Sequence, residues 1–173
     1  MTYDRTTIWL HWATAVLVVT LWGLAQIIDF WPSGGIGRVN VRSLHVALGI
    51  TLAVVVVLRL AWRHTAGLHL PPAEFGVFGL LAKLIHLVLY VLLAVAVIAG
   101  ITNTWVRGDS FFGLFKLISF APGDRATRQL VGSVHEIAAN AILVTAGLHA
   151  AAALFHHFIR RDDVLRRMLS RAG

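Results

Sequence analysis

The sequence predicts an all-α integral membrane protein, built as a bundle of four transmembrane helices. Hydrophobic residues make up 58% of the 173 residues, charged residues only 13%, and the mean hydropathy is +0.77. Soluble domains carry about 25% charged residues. Four apolar stretches reach the roughly 20 residues that a helix needs to cross a bilayer. We therefore expect a single membrane domain over residues 1–173, with helices at about 7–28, 43–62, 83–105 and 131–159.

The first two predicted helices are separated by turn residues. The run from Thr6 to Ile28 carries no charge, with Thr6 or Thr7 able to cap its start and Asp29 at its end. Residues 31–37 contain a proline and several glycines, so we predict a short exposed loop there. The second helix is about the minimum length for a span, which places its polar ends near the headgroups.

In the second half of the chain, apolar transmembrane segments again alternate with stretches that contain helix-breaking residues. Arg59 lies near the end of the second helix, where a long side chain can reach the headgroups. Pro71 and Pro72 predict a loop before the third helix. The segment FFGLFKLISF, residues 111–120, is too short to span but apolar enough to lie at the membrane interface. The fourth helix, Val131 to Phe158, is free of charge from Ile137 onward.

Charge and cysteine content exclude several classes of protein. The net charge of +7 resembles that of a nucleic-acid binder, but in a membrane protein it describes loop topology, and we expect no nucleic-acid partner. Nine lysines and arginines lie on the side of the termini and six on the other side, which predicts both termini in the cytoplasm. With no cysteine, the chain has no disulfide, thiolate iron–sulfur site or covalently attached haem. No serine nucleophile or glycine-rich loop suggests a hydrolase or a nucleotide enzyme.

Four histidines lie at two depths of the predicted bundle. His135 and His149 are 14 residues apart, which is about 21 Å of helix rise, and they fall within roughly 40° on one helix face. The topology puts His45 at the level of His135 and His11 at the level of His149. A flat macrocycle between helices needs one imidazole from each of two facing helices, so two haem sites are predicted. Taken singly, each histidine could instead be an interfacial polar group.

Several motifs resemble the bacterial di-haem cytochrome b561 family, and within it the Escherichia-type members that act as superoxide oxidases. They are IxWLHW, RSLHVALGI, WVRG, SVHEIAAN and GLHAAAALFHHF. The resemblance implies a four-helix bundle in the bacterial inner membrane with two b haems. It implies an outer haem held by His45 and His135 and an inner haem held by His11 and His149. It further implies that electrons pass from periplasmic superoxide through both haems to ubiquinone.

Cationic residues on the outer side fit an anionic substrate. Superoxide would be attracted by the arginines and the lysine of the two outer loops, which are Arg38, Arg42, Arg107, Lys116, Arg125 and Arg128. These residues could equally pair with haem propionates or anionic lipid. For Arg107, just beyond the third helix, we favour propionate binding, and we expect Asn103 to contact the cofactor too.

Quinone reduction consumes protons, so we expect proton carriers near the inner haem. His156 lies about 10 Å beyond His149 and nearly on the same face, and His157, His86 and Lys83 are its candidate neighbours. The adjacent pair of histidines could also be interfacial residues beside a basic tail. In an alternative assignment, His86 takes the place of His11 as a haem ligand. Lys83 stands where the resembled proteins have a further histidine.

Two other functions compete with superoxide:ubiquinone oxidoreductase. The chain could be the cytochrome b anchor subunit of a hydrogenase or dehydrogenase complex, with a protein as its electron donor. It could also be a histidine-lined metal transporter, which would bind no haem.

Overall fold

The computed structural model describes residues 1–120 and 123–169 and contains four long helices. They are α1 (Arg5–Ile27), α2 (Ile36–Thr65), α3 (Gly76–Arg107) and α4 (Arg125–Phe155). All four are long and apolar enough to cross a membrane. Short elements follow some of them: 3₁₀ turns at Ile28–Phe30 and Arg166–Met168, a π-helical turn at His156–Arg160, and strands β1 (Ser110–Phe111) and β2 (Phe115–Lys116). The predicted class, a four-helix membrane bundle, is confirmed.

The bundle has two ends with different composition. The terminal end comprises residues 1–4, 66–75 and 161–169, and there the Tyr3 amide donates to the Arg167 carbonyl oxygen over 3.0 Å. The hairpin end comprises residues 28–35 and 108–120 and carries the two short strands. Both described ends of the chain therefore lie at the terminal end, which the predicted topology assigns to the cytoplasm.

Three helices begin earlier than hydropathy predicted. α2 begins at Ile36 instead of residue 43, α3 at Gly76 instead of residue 83, and α4 at Arg125 instead of residue 131. Hydropathy detects only the apolar part of a span, whereas the helical backbone of α2 and α4 continues into the polar headgroup region. The first turns of α3 are apolar, but they contain Gly76 and Gly79, which interrupt a helical pattern. The predicted loop over residues 31–37 is therefore wrong at its end. Gly37 is already helical, and a Cβ there would lie 2.4 Å from the Trp31 ring, so only glycine lets that ring cover the helix start.

The start of α1 is capped by a different residue than predicted. Asp4, not Thr6 or Thr7, is the N-cap: its carboxylate accepts from the Thr7 amide at 2.9 Å and the Thr7 hydroxyl at 2.7 Å. It also accepts from Trp62 Nε1 at 3.0 Å and from the Leu68 amide at 3.1 Å. Partial burial raises the pKa of Asp4, but these hydrogen bonds outweigh it and hold the pKa well below its usual value. One carboxylate thus ties α1 to the end of α2.

The apolar segment 111–120 contributes a hairpin that packs on α2. Ser110 pairs with Lys116 and Phe111 with Phe115. The Ser43 side chain, in a residue that is only 1% exposed, accepts from the Phe112 amide at 2.8 Å, and its hydroxyl lies 2.8 Å from the Val39 carbonyl oxygen. This contact fixes the hairpin over the start of α2, close to His45.

The centre of the bundle is an apolar core to which all four helices contribute. Its buried members are Leu21, Leu52, Val56, Leu93, Ala96, Ala138 and Ile142. α1 packs mainly against α2, and α3 mainly against α4. Small residues such as Ala96 and Ala138 let α3 and α4 approach closely. The histidines of the two levels lie above and below this core.

Replacing Asp4 with alanine should destabilise the protein more than replacing Asp124, the N-cap of α4, whose side chain accepts from Thr127 alone among the described residues. Loss of an N-cap alone costs about 1 kcal/mol, and Asp4 also loses two contacts to other elements. Thermal unfolding in detergent, followed by circular dichroism, measures both variants. A larger loss for Asp124→Ala would contradict this account.

The same carboxylate gives a pH dependence with a definite sign. Because the folded-state pKa of Asp4 is depressed, its contribution to stability is complete above the unfolded value of about 3.9 and is lost as pH falls below it. The difference in unfolding temperature between wild type and Asp4→Asn should therefore shrink on acidification below pH ~4. A difference that grows on acidification would contradict the assignment.

Candidate functional site

The structure brings His45 of α2 and His135 of α4 together near the hairpin end. Their ring centroids are 6.1 Å apart, with the ring planes at 77°. Two imidazoles that bind one metal from opposite sides, each through a bond of about 2 Å, have centroids roughly 6 Å apart. The predicted pair therefore has the spacing that a metal between the two rings requires.

The surroundings of His135 leave one ring nitrogen available. His135 Nδ1 lies 2.8 Å from the Ala96 carbonyl oxygen of α3, which can only accept, so Nδ1 carries the proton and donates. Such an outer hydrogen bond fixes the tautomer and leaves the Nε2 lone pair for a metal. One turn further, a Cβ on Gly100 would lie 3.0 Å from His135 Cε1, so the absence of a side chain makes room for the ring.

Two buried polar atoms near this level have no hydrogen-bond partner among the described residues. They are His45 Nδ1 and Asn103 Oδ1. Buried polar atoms in native proteins are nearly always paired, so each of these two atoms has room for a hydrogen bond to a further group. Arg107 and Arg42 both contact Asp109 Oδ1 at 3.4 Å. Asn103 and Arg107 thus lie on the α3 segment that leads from the His135 contact to the hairpin end.

The terminal-end level contains three histidines instead of two. His11 of α1 and His149 of α4 have ring centroids 6.3 Å apart at 67°, again near the spacing of two rings on one metal. His86 of α3 is closer to His149, at 5.1 Å, and its side chain is exposed. The spacing favours His11 over His86 as the partner of His149.

Arg59 lies inside the bundle, contrary to expectation. Its Nη2 is 3.0 Å from His11 Nδ1, and its guanidinium carbon lies 5.4 Å from the centre of the Tyr90 ring. Its position near the end of α2 predicted that this side chain would reach the headgroups. The available signal was its position six residues inside α2, because a charge in a membrane span usually serves a site.

His156 belongs to a charged cluster that the sequence did not predict. The π-helical turn places its Nδ1 2.6 Å from Asp162 Oδ2 and 3.9 Å from Glu74 Oε1, and Arg160 pairs with Glu74. Burial raises the pKa of Asp162, but the hydrogen bonds with His156 and the Val164 amide, together with the nearby charge of Arg160, outweigh it and lower the pKa. Glu74 and Asp162 come from a loop and from the tail, so no spacing in the sequence pointed to them.

The other predicted proton carriers are dispersed. His157 Nδ1 is buried without a hydrogen-bond partner among the described residues, and Lys83 is exposed near the start of α3. The structure therefore brings His86 to His149 but does not gather the four predicted carriers into one cluster.

The cations predicted to attract superoxide all lie at or near the hairpin end. Arg38 pairs with Asp29 and Arg42 with Asp109. Arg125 and Arg128 are exposed in the first turn of α4. Lys116 is exposed on β2. Three of the arginines, including Arg107 through its contact with Asp109, are thus partly neutralised, and the exposed charges of α4 and β2 are the ones open to solvent.

The model of one family, described as prokaryotic cytochrome b561, matches residues 2–171. Two relatives from Escherichia coli K12, "Cytochrome b561 homolog 1" and "Cytochrome b561 homolog 2", are each 30% identical. The first match covers 98% of this chain and 97% of the relative, the second 94% and 88%. A Yersinia pestis protein named "Probable superoxide oxidase CybB" is 28% identical over 96% of this chain and 95% of its own.

Gly100→Ala should disturb the pair of His45 and His135, because the Cβ of the new alanine would lie 3.0 Å from the His135 ring. Overpacking of this kind costs about 1–3 kcal/mol. We expect lower thermal stability and an altered absorbance of haem at this level. Gly23→Ala is the matched control, because its Cβ would meet nothing within 4 Å. Equal behaviour of the two variants would contradict the close contact.

Proposed function

The chain belongs to the prokaryotic cytochrome b561 family of membrane electron-transfer proteins, and from this premise we propose that it oxidises superoxide and reduces ubiquinone. The observation that carries the proposal is the presence of two imidazole pairs, with centroids 6.1 and 6.3 Å apart, at two levels of one bundle. α4 supplies one histidine to each pair, so a single helix connects the two levels. The relative named as a probable superoxide oxidase supports the choice of donor.

Family membership implies haem b, and the two pairs are the ligand sets that fit it. We assign His45 and His135 to a hairpin-end haem and His11 and His149 to a terminal-end haem. Held between two imidazoles, each haem would supply one-electron transfer in place of oxygen binding. His135 keeps its orientation through the Ala96 carbonyl, and Asn103 and Arg107 offer polar contacts to the hairpin-end haem.

The hairpin end is the proposed donor side, facing the periplasm. Six lysines and arginines lie there, and Arg125 and Arg128 remain exposed on α4. A cationic surface raises the encounter rate of a small anion such as superoxide. In the complete reaction two superoxide ions lose one electron each and leave as two O₂ molecules.

The terminal end is the proposed acceptor side, facing the cytoplasm. The two electrons and two protons convert one ubiquinone to its quinol. His156 is the best-placed proton carrier, because Asp162 and Glu74 connect its ring to a partly exposed acidic cluster. His157, His86 and Lys83 remain candidate neighbours of the quinone. The exposed apolar helix surfaces face the lipid in which ubiquinone is dissolved.

Single alanine variants test the ligand assignment. His45→Ala or His135→Ala should lose the hairpin-end haem, and His11→Ala or His149→Ala the terminal-end haem. His64→Ala, at the exposed end of α2, is the matched control that should keep both. The haem-to-protein ratio and the reduced-minus-oxidised spectrum report the loss. If His86→Ala loses a haem while His11→Ala keeps it, the pairing at the terminal end is wrong.

Stopped-flow mixing of superoxide with purified protein and a soluble quinone tests the activity. Haem reduction should outpace spontaneous dismutation, and quinol should accumulate. Replacing Arg125 and Arg128 by glutamine should slow haem reduction several-fold at low salt and hardly at all at high salt, because salt screens the attraction. Arg5→Gln and Arg166→Gln, at the other end, should not change the rate. Reduction no faster than dismutation would exclude superoxide as the donor.

The alternative function is that of a cytochrome b anchor subunit, whose donor is a protein such as a hydrogenase or dehydrogenase. The matching family description names no donor, which leaves this alternative open. An anchor subunit should copurify with its partner after mild detergent extraction. It should take electrons from that partner and not from superoxide.

A further inference from the structure

A cleft at the terminal end lies beside the level of His11 and His149. Its walls are formed by the first residues of the chain, the start of α1, the end of α2, and Tyr90 of α3. Its polar side chains are Tyr3, Thr7, Arg59, Trp62, Arg63 and Tyr90, together with the loop residue His69. No aspartate or glutamate is among the residues that line it. The cleft therefore combines two fixed positive charges with hydroxyl and ring N–H groups, a composition that suits an anion.

Arg59 carries a charge that no described carboxylate neutralises. It is half-buried, six residues before the end of α2, and none of the ion pairs among the described residues includes it. The nearby Asp4 is already engaged by Thr7, Trp62 and Leu68. A cation in an apolar span is costly unless it is paired.

The contact between Arg59 and His11 creates a second requirement. Arginine only donates, so His11 Nδ1 has to accept the hydrogen bond at 3.0 Å. A neutral imidazole that accepts at Nδ1 carries its proton on Nε2, and that nitrogen cannot then bind a metal. When His11 binds a metal through Nε2, Arg59 has to exchange Nδ1 for another acceptor within its reach.

We propose that this cleft is a carboxylate site, in which Arg59 pairs with a propionate of the haem held by His11 and His149, with Arg63 at the mouth. The proposal rests on the haem assignment of the proposed function. The guanidinium fork matches a carboxylate with two parallel hydrogen bonds, which lysine cannot do. Arg59 already contacts the proposed ligand ring, which favours a carboxylate of the haem over the phosphate of a lipid. When Arg59 exchanges His11 Nδ1 for the propionate, His11 becomes free to bind the metal and the charge of Arg59 is neutralised.

The first test compares Arg59→Met, Arg59→Lys and the exposed control Arg5→Met by haem content and potentiometric titration. Arg59→Met should lose the terminal-end haem or lower its midpoint potential, because removal of a cation destabilises the reduced iron. Arg59→Lys should fall between Arg59→Met and wild type, and Arg5→Met should match wild type. The hairpin-end haem is the reference within each molecule, and His45→Ala isolates the terminal-end haem. Unchanged occupancy and potential in Arg59→Met would overturn the proposal.

The second test identifies the anion. The full chain, made under haem limitation, is reconstituted with haem b or with its dimethyl ester, in the His45→Ala background. Wild-type Arg59 should prefer the free acid roughly tenfold or more, as expected for a charge-assisted hydrogen bond, and Arg59→Met should lose this preference. Equal preference in both proteins overturns the proposal. The same comparison is made in nanodiscs with and without anionic lipid. A preference for the free acid that changes with anionic lipid also overturns the proposal, because the cleft would then hold a lipid phosphate.

The two proposals can fail separately. A wild-type protein without b haem ends the proposed function and this inference together. A wild-type protein with two haems whose terminal-end haem is indifferent to Arg59 ends only the inference.

Discussion

The requirement that two imidazole rings from different helices lie about 6 Å apart organises this bundle. It is met twice, and both times α4 supplies one ring. Fourteen residues of helix set the separation of the two levels, and the apolar core between them fixes the helix contacts. Where α3 passes His135, the Ala96 carbonyl accepts a hydrogen bond from the ring, and Gly100 leaves room for the ring. The packing of α3 on α4 thus serves the geometry of the site directly.

The two ends of the bundle differ in how they hold charge. At the hairpin end, arginines share Asp109 and Asp29, and exposed cations remain on α4. At the terminal end, Arg59 lies inside the bundle, while His156 joins Glu74 and Asp162 in a cluster near the surface. An anionic donor at one end and a proton-consuming acceptor at the other are consistent with this asymmetry.

The sequence predicted the number of helices and the depths of the four histidines because both depend on local quantities. Apolar run length defines a span, and residue spacing along a known direction defines depth. The starts of α2 and α4 were missed because their first turns are polar, and the start of α3 because Gly76 and Gly79 interrupt its apolar run. The roles of Arg59 and Glu74 and the contact of Asp4 with Trp62 were missed for another reason: the partners come from distant parts of the chain, such as His11 for Arg59 and His156 for Glu74. Contacts of that kind require the folded helix arrangement.

The central claim is that each imidazole pair closes both axial positions of one haem. Electron paramagnetic resonance of the oxidised wild-type protein, combined with its haem-to-protein ratio, tests this most directly. Two haems per chain, both giving low-spin ferric signals, are the predicted result, because two imidazoles produce a strong ligand field at each iron. A single haem, or a high-spin signal from either site in the intact protein, would contradict the account.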